Sequence, residues 1–272
     1  MNNAELRLPA KVVSPGHRWS PARLSLLTLA GLLLLWWGLT GFGLIGPLFL
    51  PSPQRVLTRF WQVVTDGYMD ATLWQHLAAS LSRIGLALLA ALLFALPLGV
   101  LIGYSRTVRA VFDPLIEFYR PVPPLAYLPL IVIWFGIGEL SKVLLIYLAI
   151  FAPLAIATAE GVRRIEPNRL RAAQSLGASR WQLVRHVIVP GALPDILTGL
   201  RIGLGVGWST LVAAELVAAT EGLGFMVQSA AQFLATDVVM LGILVIALIA
   251  SLLEFLLRHL QRRLTPWHGQ HY

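Results

Sequence analysis

Residues 166–194 read EPNRLRAAQSLGASRWQLVRHVIVPGALP. They belong to 161–194, the longest polar segment of a chain that is otherwise largely apolar. Pro167 suits the first position of a helix, where the N–H that proline lacks has no intrahelical partner anyway. Leu170, Ala173, Gln174 and Gly177 fall along one side of that helix, and Gly177 stands where a left-handed residue would close it. Ser179 with Gln182 matches the S-x-x-Q capping box of a second helix. Trp181, Val184 and Ile188 form its apolar stripe, and Pro190 is expected to stop it. Ala172, Ala173 and Ala178 occupy positions where a solvated loop would carry long polar side chains, and small residues admit close approach by another surface. Such a hairpin either docks a partner or packs on its own bundle, and the local residues leave both readings open.

On either side of this segment the chain turns apolar. A helix rises 1.5 Å per residue, so a hydrocarbon core ~30 Å thick needs about 20 apolar residues. Six stretches qualify: about 24–45, 77–104, 112–137, 143–160, 196–219 and 236–257. The third is interrupted by Pro121, Pro123, Pro124 and Pro129. The first has the basic lead of a signal peptide, but it is too long for one and no small-x-small site follows, so a retained helix is expected. Of 272 residues, 57% are hydrophobic and 12% charged, with a mean hydropathy of +0.74. Too few charges remain to coat a soluble globule, and disorder needs low hydrophobicity. An all-α, six-span membrane protein is the fold class.

Charge orients it. The formal net charge is +8. With the N-terminus inside, 15 Lys and Arg fall on that side: Arg7, Lys11, Arg18, Arg23, Arg106, Arg109, Arg163, Arg164, Arg169, Arg171, Arg180, Arg185, Arg258, Arg262 and Arg263. Three fall outside: Arg55, Arg59 and Lys142. The positive-inside rule makes both termini cytoplasmic and accounts for the basic balance without nucleic acid. The organisation is then a cytoplasmic tail 1–23, a membrane domain 24–257 and a cytoplasmic tail 258–272. Within the domain, 53–65 (Ser52 as cap, Pro53 first, Val56, Phe60, Val63 and Val64 on one face) is an amphipathic outer-surface helix or a plain connector.

Chemistry by this chain alone is excluded on several counts. Neither lysine sits in the G-x4-G-K-S/T context a P-loop needs. HExxH is absent, GWSTL at 207–211 lacks the second glycine of a serine elbow, and there is no cysteine, hence no disulfide or thiolate metal site. What remains are ionisable residues at membrane depth, which are costly and default to functional candidates. Arg83 lies near the outer surface, where its head would snorkel. Arg120 opens the RPVPP break, Arg201 sits among the glycines of the fifth span, and Glu215 is further along the same helix. Arg120 and Arg201 are candidates for an anion's route, with structural pairing as the alternative. Gly199, Gly203 and Gly207, at spacing four beside Trp208, permit tight packing within the bundle or across a dimer axis, near a pathway.

The loop spacing A-A-x3-G-x9-V-x-V-P resembles the E-A-A-x3-G-x9-I-x-L-P loop of binding-protein-dependent ABC importer permeases. Ala172, Ala173, Gly177 and Pro190 are in register; Arg171 replaces the glutamate, Val187 and Val189 the Ile and Leu. YRPVPPLAYLPLIVIWFGIGELSKVLLIYLAIFAP (119–153), LTGLRIGLGVGWSTLVAAELVAAT (197–220) and GLGFMVQSAAQFLATDVV (222–239) resemble the branch importing taurine, alkanesulfonates and nitrate-like anions. The 68–84 stretch and RRLTPWHG (262–269) are most similar to its taurine-importing members, and the likeness runs over about 46–269. The resemblance implies a type I (MetI-like) permease of a bacterial inner membrane, working as a homodimer with two cytoplasmic ATP-binding subunits and a periplasmic binding protein. ATP and Mg would be held by the partner ATPases, and no cofactor by this chain. Arg171, Ala172, Ala173, Gln174, Leu176, Gly177, Ala178 and Ser179 would dock the ATPase. Arg120, Arg201, Glu215, Gly203, Gly207 and Trp208 are the pathway candidates. The expected cargo is taurine, with another alkanesulfonate, nitrate or bicarbonate as alternatives. An ATP-independent secondary transporter is the competing class.

Overall fold

A computed structural model describes residues 21–266 of the chain. Two compact units are distinguished, one ending at Pro53 and one beginning at Gln54. The first carries α1 (Pro21–Gly41), closed by turns in which Gly43 takes φ +68°, and Trp36 Nε1 donates to the Pro51 carbonyl at 2.9 Å. The charged tail positions before 21 lie outside the described residues.

The second unit holds the rest: α2 (Pro53–Thr65), α3 (Leu73–Tyr104), α4 (Arg106–Tyr119), α5 (Leu128–Phe135), α6 (Glu139–Arg163), α7 (Pro167–Ser175), α8 (Arg180–Leu183), α9 (Val189–Ala218), α10 (Leu223–Gln232) and α11 (Thr236–Leu264). There is no strand among the described residues. α3 begins at a full capping box, with Thr72 N–H donating to Gln75 Oε1 at 2.7 Å and Gln75 N–H returning to Thr72 Oγ1. Ala87, Ala91, Ala95 and Gly99 recur every four residues and are buried, so α3 turns a narrow smooth stripe toward α6. A Cβ at Gly99 would stand 2.6 Å from the Ala155 carbonyl, and one at Gly207 would stand 2.8 Å from Ile150 Cγ1. Small residues therefore set the approach of α3 to α6 and of α6 to α9, around a core of Ile146, Ile150, Leu154 and Leu200. Large apolar side chains such as Leu86, Leu89 and Leu93 of α3 and Leu248 and Leu252 of α11 face outward, as in a chain whose solvent is lipid.

Among the described residues five helices are long and apolar enough to cross a membrane, six when a bent pair counts as one span. The bent pair is the expected third span. It does not run straight over 112–137: it starts at Arg106, breaks after Tyr119 and resumes at Pro124, the two limbs meeting at 89°. Three prolines in RPVPP remove three donors from what would be consecutive helical turns, and the backbone turns instead of bridging them. The expected stop at Pro190 is also overturned. A π-turn over Val184–Ile188, closed by Val189 N–H donating to the Val184 carbonyl, joins α8 to α9 as one continuous helical rod. Pro190 falls in the first turn of α9, directly after the π-turn, and the rod continues through it.

Candidate functional site

From Pro167 to Gln182 the caps and the turn form as the local chemistry dictates. Pro167 starts α7, which ends in a Schellman motif: Gly177 at φ +81°, its N–H on the Gln174 carbonyl (3.0 Å) and Ala178 N–H on Ala173 (3.1 Å). Ser179 and Gln182 then form the reciprocal cap of α8. The hairpin has two faces. Leu170, Ala173, Val184 and Val187 pack on the bundle core, and Leu183 and Ile188 are fully buried beneath them. Arg171, Ala172, Gln174, Leu176 and Gly177 are exposed on the other face, with Ala178 half-buried. Trp181, read as part of the inward stripe, points away at 70% exposure, and Leu176 is 89% exposed. The stripe runs through Leu183 and Ile188 instead: residues two apart on a helix point to nearly opposite sides, so burying Leu183 turns Trp181 outward. A shallow depression of about 390 Å³ opens beside the turn, walled by Ala173, Leu176, Gly177, Ala178 and Gln182 among others.

At the far end of the bundle the structure assembles a charge cluster that was not legible in the sequence. Arg83, expected to snorkel, is 3% exposed. Its Nε and Nη2 donate to Glu139 at 2.6 and 2.8 Å, and its Nη1 donates to Glu215 Oε1 at 2.7 Å and to the Glu221 carbonyl at 2.7 Å. Lys142, counted with the outer loops, is buried in the first turns of α6 and donates to Glu139 at 2.8 Å. Glu215 is 1% exposed, and its acceptors are also used by Ser80 Oγ (2.8 Å) and Gly224 N–H (2.8 Å). His76 accepts from Gly222 N–H at Nδ1, which leaves Nε2–H to donate to the Tyr68 carbonyl. Arg83, Glu139 and Glu215 come from three helices, and burial is tolerable because every charge is paired and hydrogen-bonded.

The remaining pathway candidates separate. Arg201 donates through Nε and Nη2 to Glu254 and through Nη1 to Gln261, tying α9 to α11. Gly203 and Gly207 lie against Ile150 of α6. Trp208 packs beside the same core, with its Nε1 buried and without a hydrogen-bond partner among the described residues. Arg120 borders free space. A cavity of about 400 Å³ at the break of the third span is lined by Tyr119, Arg120, Val122, Pro124, one face of α6 from Leu148 to Glu160, and Ile202 and Val206 of α9. Tyr119 braces it, stacked on Tyr127 with ring centroids 5.6 Å apart and its hydroxyl donating to the Leu148 carbonyl at 2.6 Å. A second cavity of about 190 Å³ adjoins, sharing Arg120, Ile156 and Glu160 and adding Asp113, Glu117 and Arg163. Among the described residues no group of three or more His, Asp or Glu is placed to hold a metal ion.

Residues 95–266 match the family described as the binding-protein-dependent transport system inner membrane component. The chain is 67% identical over 257 residues to the taurine transport system permease protein TauC of Escherichia coli, covering 93% of this chain and 94% of that one. It is 34% identical to the putative aliphatic sulfonates transport permease protein SsuC of Bacillus subtilis, over 94% and 92% of the two chains. A solved structure of the MetNI methionine ABC transporter in an inward-facing conformation superposes with a TM-score of 0.59 at 18% identity, covering 73% of this chain and all of that one, which shows a shared fold.

Proposed function

Because this chain belongs to the family of binding-protein-dependent inner membrane transport components, we propose that it is the membrane-spanning subunit of an ATP-driven importer whose cargo is taurine. The observation that carries the cargo is the 67% identity, running nearly end to end, with a taurine transport permease. A relative named for aliphatic sulfonates is half as similar. Two copies would form the translocation path, since one broken span and five helices make a thin wall for a channel. Two cytoplasmic ATP-binding subunits would supply ATP and Mg chemistry, and a periplasmic binding protein would deliver cargo to the face opposite the 161–194 loop.

The loop would transmit the motor's motion. Its exposed face, Arg171, Ala172, Gln174, Leu176 and Gly177 with Trp181 beside them, is the surface offered to the ATPase, and its inner face is packed on the core through Leu170 and Ala173. A push on α7 therefore reaches α9 directly, through the helical rod that runs from Arg180 to Val217. Closure of the ATPases would open the helices outward, and hydrolysis would reset them inward.

The test is ATPase activity in nanodiscs, with the chain assembled with its candidate ATPase and binding protein and titrated with taurine, other alkanesulfonates and nitrate. Stimulation by loaded taurine binding protein is expected. Stimulation only by another anion moves the cargo, and failure to associate with any ATPase removes the importer reading. Gly177→Pro, which cannot adopt φ +81°, should insert normally yet uncouple hydrolysis from uptake. Normal uptake in that variant would sink the transmission role of the loop.

A further inference from the structure

The two cavities at the broken span share one wall, and that wall carries opposite charges: Arg120 from the break and Glu160 from α6. Among the described residues neither side chain makes an ion pair with the other or with any third group, and the same holds for Asp113, Glu117 and Arg163 around the smaller cavity. This contrasts with the opposite end of the bundle, where Arg83, Lys142, Glu139 and Glu215 are all paired. Arg120 and Glu160 are both exposed where they line the cavity, so neither is tied up in the packing and both are open to a ligand of mixed charge. From Leu148 to Glu160 the larger cavity follows α6 for roughly 18 Å, from mid-helix to the Arg-rich end. Apart from Tyr119, Arg120 and Glu160 its lining is aliphatic, so these two charges are the groups that can orient a charged ligand there.

Resting on the taurine reading above, we infer that this cavity is an in-transit site for a zwitterionic amino-sulfonate, with Arg120 holding the sulfonate and Glu160 the ammonium. Guanidinium suits a sulfonate because its fork meets two of the acid's oxygens. A plain alkanesulfonate or nitrate satisfies Arg120 but brings nothing to Glu160, which then repels it. Glu160 is thus the residue by which the membrane subunit itself separates amino-sulfonates from simple anions, in addition to whatever the binding protein selects.

The experiment uses the permease–ATPase complex in nanodiscs without binding protein. It measures retention of radiolabelled taurine and its displacement by ethanesulfonate. Wild-type complex should hold taurine and be displaced about tenfold less readily by ethanesulfonate than by unlabelled taurine, the scale of one charged hydrogen bond. Glu160→Gln should weaken taurine by about tenfold and abolish the preference. Arg120→Gln should lose both ligands, with partial recovery in Arg120→Lys. Unchanged retention and preference in assembled variants overturns the site. So does a wild-type complex that binds no taurine yet imports it once the binding protein is added. If Arg120→Gln fails to assemble and Glu160→Gln keeps wild-type preference, Arg120 is a contact to a second copy, and the inference falls. Absence of taurine import by the wild-type complex with its binding protein overturns the importer reading itself, and this site with it.

Discussion

Arg83 shows how strongly context decides what a residue does. By position it is an arginine near the end of a span, free to reach polar surroundings. In the fold, Ser80, Glu139, Glu215 and the 219–224 turn enclose it, and each of its donating nitrogens is used. Removing it strands Glu215, whose carboxylate has no route to water. Arg83→Met should cost about 3–5 kcal/mol, the scale for breaking a buried ion pair from one side. Thermal unfolding in nanodiscs would read this as a clear drop in Tm. The double variant Arg83→Met, Glu215→Gln should lose less than Arg83→Met alone, because a neutral amide is cheaper to bury than an orphaned carboxylate. Equal unfolding temperatures for Arg83→Met and wild type would show that the cluster is not holding these helices together.

At the scale of elements, the glycines of α9 divide by what faces them. Gly203 and Gly207 meet α6 side on, whereas a Cβ at Gly205 meets nothing within 4 Å among the described residues. Gly207→Ala should therefore destabilise by about 1–3 kcal/mol, since Ile150 is locked in the core and cannot yield. Gly205→Ala should be neutral or gain up to about 1 kcal/mol from helix propensity. The same unfolding assay checks both, and identical effects at the two positions would contradict the packed seam. The spacing of four was readable in the sequence, but which neighbour the stripe meets was not. The broken third span and the π-turn before α9 were half legible. The prolines announced a disturbance, yet whether a proline ends a helix, bends it, or sits harmlessly in a first turn depends on the turn before it.

For the whole molecule, the positive-inside rule predicts one sidedness: the 161–194 loop inside and α2 outside. The chain contains no cysteine, so single cysteines can report on this without background. Ser175→Cys and Gln54→Cys, both at exposed positions, should react with a membrane-impermeant maleimide from opposite sides, with position 175 labelled only when the cytoplasmic face is open. Labelling of both from the same side would overturn the topology. The local structure of the loop proposed to meet the ATPase was the part most open to reading in advance, because its cap, its glycine turn and its small residues act within a few positions of one another. The cavity was the least open, because Arg120 and Glu160 are forty residues apart and share a wall only once the third span has turned through 89°.

Sequence alone determined what depends on neighbours along the chain. It settled the membrane as solvent, since 12% charged residues cannot coat a soluble surface. It placed the helical stretches by their length and apolarity, and it marked the capped hairpin of 166–183 by proline, glycine and serine at fixed offsets. Tertiary structure alone decided which charges are satisfied. Arg83 reaches Glu139 and Glu215 across 56 and 132 residues, and Arg201 reaches Glu254 across 53, while Arg120 and Glu160 are left facing a cavity. The physical reason is that a charge in a low-dielectric interior must find its partner in space, and only the packing of distant helices determines where that partner stands.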